Sequence, residues 1–341
     1  MDTAHTQAVL RFAFGVTLAF VVAELMEWTP AFLAPVLTCV VLANIPVRPP
    51  LKIAFGFCLV IGASALLGLV LSNALRGAPH LLFGLSTLIV FLALHALARG
   101  VSKLLPLFII ICVTAIPVVA LQSLLFAQRF AGALTKMAMF SILIAWISWL
   151  VFPKALARAA APAAVPLSPE LAMRSALLGT AILAPLMLAY LMLGLYDALP
   201  VMVGTVMIVA TLDFKLGRKQ AVIRVIANFA GGVSSLVVIV LLAIHPSLAT
   251  FTLLILASAL LFGMRISHGD ALAQVLVVAC NGYLIVFGTS LHSDAGSLSV
   301  WLTRVNYFFL AGVFTIGMMA LLWPRDTAPL QPLETSGDPQ P

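Results

Sequence analysis

Charge is what this sequence has least of. Of its 341 residues only 9% are Asp, Glu, Lys or Arg, against about 25% in a typical soluble domain. So few ionic side chains cannot coat a water-soluble body of this length, and a hydrophobic share of 63% is incompatible with a disordered chain. The shortage excludes an ordinary soluble enzyme, a nucleic-acid-binding domain and a disordered protein. Cysteine is scarce as well. Cys39, Cys58, Cys112 and Cys280 all lie in apolar runs, with no C-x-x-C pair and no histidine at ligand spacing. They read as small hydrophobes, without a disulfide framework or a metal site. Catalytic signatures are also missing. There is no G-x-x-x-x-G-K-[ST], no H-E-x-x-H, no G-x-S-x-G and no paired aspartate motif. The chain therefore reads as neither a nucleotide-driven pump nor an enzyme, and no cofactor is expected.

What the sequence does have is long apolar runs, and a membrane helix needs roughly 20 such residues. The runs cover about 8–26, 32–45, 53–75, 81–98, 104–125 and 130–152, then 171–195, 199–212, 222–244, 248–264, 271–291 and 298–323. The expected fold is an all-α, polytopic membrane helical bundle of about 12 spans. The second and eighth runs are short, so re-entry or strong tilt there would leave ten full crossings. The first run lacks a basic segment ahead of it and a small-residue cleavage site, so it reads as a span and not a signal peptide. Between the sixth and seventh runs lies an Ala/Pro-rich stretch with Pro162, Pro166 and Pro169. Four segments follow: a first membrane repeat (1–154), a cytoplasmic linker (155–170), a second membrane repeat (171–325) and a disordered tail (326–341). Ser168-Pro169-Glu170 has the chemistry of a helix start.

Net charge is +7, which in a membrane protein reports topology before it reports an acidic partner. With the N-terminus in the cytoplasm, Arg48, Lys52, Arg99, Lys103, Lys154, Arg158, Lys215, Arg218, Lys219, Arg265 and Arg325 fall on cytoplasmic connections. Arg11, Arg174 and Arg224 fall at cytoplasmic span ends. Both termini are thus expected inside.

The halves echo one another. Arg11 opens the first span and Arg174 the seventh; Pro35 and Pro200 stand early in the short spans. Gly62-Ala63-Ser64 answers Gly232-Val233-Ser234, Arg99-Gly100 answers His268-Gly269, and Phe152-Pro153-Lys154 answers Trp323-Pro324-Arg325. Since each half begins and ends inside, the expectation is two parallel six-helix repeats about an axis along the membrane normal. The small residues of the third and ninth spans mark close helix contacts.

Arg11 with Ala34-Pro35-Val36-Leu37-Thr38, repeated as Arg174 with Leu199-Pro200-Val201-Met202, resembles the fusaric acid resistance and aromatic acid exporter superfamily over residues 8–325. The resemblance implies a bacterial inner-membrane protein exporting small, often aromatic, carboxylic acids or other toxic compounds beside a periplasmic membrane fusion protein. Members with large cytoplasmic domains after each half differ from this chain, which resembles a compact branch.

Ionisable groups within spans are the candidate machinery. Lys136 in the sixth span and Arg304 in the twelfth sit about one turn apart in matched helices, Tyr307 occupying the position that matches Lys136. Phe140 follows Lys136, and Phe308 follows Arg304, at i+4. Cation and ring together suit an aromatic carboxylate. Both long cations could instead snorkel to headgroups. Glu24 is a candidate proton carrier, or an ion-pair partner of Lys136. Asp213 with Lys215, and Arg265 with Asp270, read as loop ion pairs. The expected function is proton-driven efflux of small organic anions or aromatic compounds, with lipid and a small-molecule substrate as partners and no nucleic acid. The alternative is a non-transport scaffold or assembly subunit of an envelope complex. Inward-facing cations favour the first.

Overall fold

The computed structural model describes residues 3–45, 47–156, 166–195, 199–292 and 297–322. They form twelve α-helices and no strand: α1 (Thr3–Leu25), α2 (Leu33–Asn44), α3 (Leu51–Ala74), α4 (Pro79–Ala98), α5 (Leu104–Gln122), α6 (Leu124–Val151), α7 (Pro169–Leu193), α8 (Leu199–Val209), α9 (Phe214–Ile244), α10 (Leu248–Ile266), α11 (Ala271–Leu291) and α12 (Ser297–Leu322). Ten are long and apolar enough to cross a membrane, and the architecture is a polytopic helical membrane bundle. The linker's 157–165 stretch and the tail from 323 onward lie outside the described residues.

Local chemistry sets the ends of several helices. The side chains of Ser123, Ser168, Asp213, Ser247 and Asp270 accept from the backbone N–H of Phe126, Leu171, Leu216, Thr250 and Ala273, each meeting a donor that has no partner within its helix. Asp213 and Asp270 are therefore N-caps, not the loop ion-pair partners expected of them. The Asp213 cap starts α9 eight residues before its apolar run, and the Ser123 cap starts α6 six residues before its own. Hydropathy alone ended both helices where polar residues begin, although the backbone ladder continues through them. Gly100 and Gly269 close α4 and α10 with φ of 85° and 73°, left-handed caps that glycine takes without steric cost. They fall at the matched positions read from the sequence.

Packing repeats along with the caps. In the first half α3 packs on α5 and α6, α2 on α6, and α4 beside α5. In the second half α9 packs on α11 and α12, α8 on α12, and α10 beside α11. Across the halves α1 meets α10 as α7 meets α4, and α2 meets α11 as α8 meets α5. Direction is fixed by contacts at one end of the bundle. Arg11 at the start of α1 donates to the carbonyls of Phe152 and Lys154, just beyond α6. His5 lies 3.2 Å from the Ser267 hydroxyl after α10, and Leu167, ahead of α7, donates to Ala98 at the end of α4. Gly217 near the start of α9 touches Met319 near the end of α12. Thr3 and Leu322 thus lie at the same end, and the two halves run parallel.

Helices α2 and α8 have 12 and 11 residues, too few to cross the hydrocarbon core as helix alone. Helix α2, of about 18 Å, is preceded by Trp28, which packs on Phe140 of α6. It is followed by Pro49, whose carbonyl accepts from Trp146 Nε1 of α6. The seam between halves is filled by two apolar clusters. One joins Leu94, Ile110 and Val118 to Ile182, Val206 and Val209; the other joins Phe12, Phe20 and Cys39 to Phe251, Tyr283 and Phe287. Cys39 and Cys280 meet thiol to thiol across that seam, as free, buried side chains.

Within each half, glycines bring backbones together. A Cβ at Gly231 would collide with the carbonyl of Ala279 and stand 2.8 Å from the N of Tyr283, both in α11. One at Gly68 would stand 2.7 Å from the carbonyl of Cys112 in α5. Gly62 and Gly232 instead face Thr135 of α6 and Trp301 of α12, the close contacts expected of them. Neither Gly231 nor Gly68 can gain a methyl without moving backbone. Gly231→Ala and Gly68→Ala should each destabilise by about 1–3 kcal/mol through overpacking. Gly84, with open space around it, should tolerate alanine with a gain of about 0.5–1 kcal/mol from helix propensity. Thermal unfolding of the three purified variants in one detergent checks the order; equal melting temperatures would remove the close-approach account.

Candidate functional site

The two expected cations lie in different surroundings. Helix α12 buries Ala311, Gly312, Thr315 and Met319. Arg304 belongs to that stripe, since Phe308, Ala311 and Thr315 follow it at i+4, i+7 and i+11. The stripe faces α8: Ala311 and Phe308 pack at Gly204, and Thr315 Oγ1 donates to Thr205 Oγ1 at 3.2 Å. Arg304 therefore points into the second half, its Cζ 5.5 Å from the centre of the Phe308 ring. Its Nε is buried with no hydrogen-bond partner among the described residues. A guanidinium has five donors and no acceptor, and leaving a buried one unmet is costly.

Lys136 points the other way. It is exposed and shares its face of α6 with Met139, Leu143 and Leu150, which are 60%, 49% and 77% exposed. Its Nζ stands 4.3 Å above the Trp28 ring, and Phe140 meets the same ring edge-on at 4.8 Å. Tyr307 packs into the apolar cluster beside α7 and α8. The structure thus brings Arg304 together with Phe308, and Lys136 with Phe140 and Trp28, but it does not join the two groups. Equal depth in matched helices does not give equal rotation about the helix axis.

A second interior arginine went unnoticed in the sequence. Arg224 stood there as a span-end charge. Because α9 starts at the Asp213 cap, Arg224 sits ten residues, about 15 Å, into the helix. Its Nε is also buried without a partner among the described residues, and its carbonyl accepts from Asn228 one turn on. The Asp213 cap was the signal that could have found it. Asn281 on α11 adds a buried, unpaired Oδ1 to this half.

Glu24 pairs with neither Lys136 nor another cation of its own half. Its Oε2 lies 3.5 Å from His292 Nε2, at the end of α11, while Oε1 is buried and unpartnered. The pair borders a cleft of about 390 Å³ whose walls include Leu242, Pro246, Ser247, Leu248, Phe251 and Leu291. Here α1 of the first half meets the ends of α9, α10 and α11 of the second. Among the described residues no cluster of three or more His, Cys, Asp or Glu side chains could hold a metal.

Residues 8–148 match the model of a family described as Protein of unknown function (DUF2955). That stretch covers α1 to most of α6, and so contains Glu24 and Lys136 but not Arg304 or His292. No curated protein and no solved structure matches the chain.

The Glu24–His292 contact is an ion pair only while His292 carries a proton. His292 is 57% exposed, so the pair is worth at most about 1 kcal/mol. Glu24→Gln should therefore lower the melting temperature by no more than about 1–2 °C. Equal melting temperatures for the wild type and the variant would show that the contact carries no ion-pair energy.

Proposed function

We propose that the protein is a secondary transporter of the bacterial inner membrane, of the fusaric acid resistance and aromatic acid exporter type. It exports small organic anions or aromatic compounds using the proton gradient. Arg304 carries the reading: a guanidinium turned into a membrane bundle, with a buried donor left open and a phenylalanine ring beside it. Intramembrane charges facing the protein interior mark solute pathways. A carboxylate would take two parallel hydrogen bonds from the guanidinium fork, and the Phe308 ring would cover an aromatic body. Arg224 deeper in the same half would keep the path attractive to an anion.

Two parallel repeats with apolar contacts across the seam suit a transporter whose halves rock against each other. The apolar clusters close the seam in this conformation, so passage needs the halves to part on one side. Glu24 and His292 bridge the halves at the end opposite Thr3, where a change in their protonation would alter the attraction between them. Coupling is assigned to this pair. The excess of Lys and Arg at the end that holds Thr3 supports a cytoplasmic position for that end. A periplasmic membrane fusion protein would receive the solute on the other side.

Growth of a deletion strain on a panel of aromatic acids, complemented by variants present at equal level in the membrane, tests this. Arg304→Ala should be as sensitive as the deletion, because a lost charge-assisted contact of about 1.5–3 kcal/mol weakens solute binding tenfold or more. Arg304→Lys should restore only part of the tolerance, since lysine lacks the fork. Full protection by Arg304→Ala would refute the assignment.

A further inference from the structure

Lys136 leaves a charge unanswered on the lipid-facing side of the bundle. The ion pair found among the described residues joins Glu24 and His292. Glu27, next to Trp28 in sequence, forms none with Lys136 within 4.0 Å. Trp28 contributes a ring face, and a cation over a ring is only partly compensated in an apolar medium.

Depth and direction indicate what completes the site. Helix α6 has 28 residues, about 42 Å, which exceeds the roughly 30 Å of hydrocarbon in a bilayer. Trp146 and Trp149 lie near its C-terminal end, beside the Arg11 contacts. Counting about 20 residues back from there sets the opposite hydrocarbon boundary close to Arg129. Arg129 is exposed and precedes Lys136 by seven residues, so both cations share one face about 10 Å apart. Helical side chains lean toward the helix N-terminus, so Lys136 leans toward Arg129 and the headgroups. Below Lys136 the same face carries the exposed Met139, Leu143 and Leu150, an apolar track of acyl-chain length.

We propose that Arg129, Lys136 and the Trp28 ring form a binding site for the phosphate of an anionic phospholipid, in the leaflet opposite the N-terminus, with an acyl chain lying along α6. Two cations without a described counter-ion, Arg129 at the hydrocarbon boundary and Lys136 about 10 Å below it and leaning toward it, select a headgroup of negative charge. The site stands whatever solute the bundle carries.

The protein in phosphatidylcholine nanodiscs, with and without phosphatidylglycerol, provides the test. Native mass spectrometry should show phosphatidylglycerol retained by the wild type, and retention about tenfold weaker in the Arg129→Gln/Lys136→Gln variant, given the strength of charge-assisted hydrogen bonds. Lys136→Arg should keep the lipid. Should the double variant not fold, the wild type alone decides: phosphatidylglycerol must raise its melting temperature above that in phosphatidylcholine. Equal retention by wild type and double variant, or no dependence of the melting temperature on the anionic lipid, leaves only snorkelling and overturns the proposal. Inorganic phosphate producing the same stabilisation would make a free anion the ligand and overturn it too.

Discussion

Backbone-to-backbone approach at Gly68 and Gly231 holds each half together. Lipid tails are as apolar as leucine, so helices inside a bilayer gain little by hiding leucines from it; they associate through close packing and polar contacts. Gly68 lets α3 reach the carbonyl of Cys112, and Gly231 lets α9 reach Ala279 and Tyr283. From those pairs the rest of each half follows. Helix α6 or α12 closes one side and α4 or α10 stands behind, with the short helix wedged near the seam. The short helix also has a close contact there. A Cβ at Gly15 would strike Leu42 of α2, and one at Gly179 would strike Val209 of α8. The same steric device thus seats both short helices.

The halves agree in packing and differ in charge. Arg11 is buried, donates to two carbonyls and stacks 3.4 Å over Trp149, whereas its counterpart Arg174 is exposed. In the register of the repeat Arg304 corresponds to Ala133, and Lys136 to Tyr307. The packing scheme repeats although its closest glycine contacts do not: in the register of Gly62 and Gly232, Val238 matches Gly68 and Ile61 matches Gly231. The polar groups differ between the halves as well. The first half is pinned at its N-terminal end by Arg11, and the second carries the interior arginines.

The sequence made depth legible and left rotation hidden. Apolar runs located all twelve helices, because the hydrocarbon core admits few charged side chains. The matched glycine caps and small-residue pairs revealed the repeat, because left-handed backbone and close contact both need glycine. Whether Lys136 faces the lipid is another matter. It depends on which face of α6 packs on α2 and α3, and the apolar content of a lipid-exposed face matches that of a buried one. Arg224 was misplaced because a capped polar turn extends α9 beyond its apolar run. The meeting of Glu24 with His292 could not be read from the chain, since it joins the two halves across the seam.

Interior arginines without a described carboxylate bear on the sign of whatever enters. A buried ion pair would be neutral overall and indifferent to a solute's charge. Arg224 and Arg304 instead leave a net positive potential inside the second half, which the low dielectric around them strengthens. An organic cation would meet repulsion there, and a neutral solute would leave the charge uncancelled. An anion satisfies the donors and cancels the charge. In the first half alanine stands at the Arg304 position, buried Arg11 donates to backbone carbonyls, and Glu24 lies at the seam beside His292.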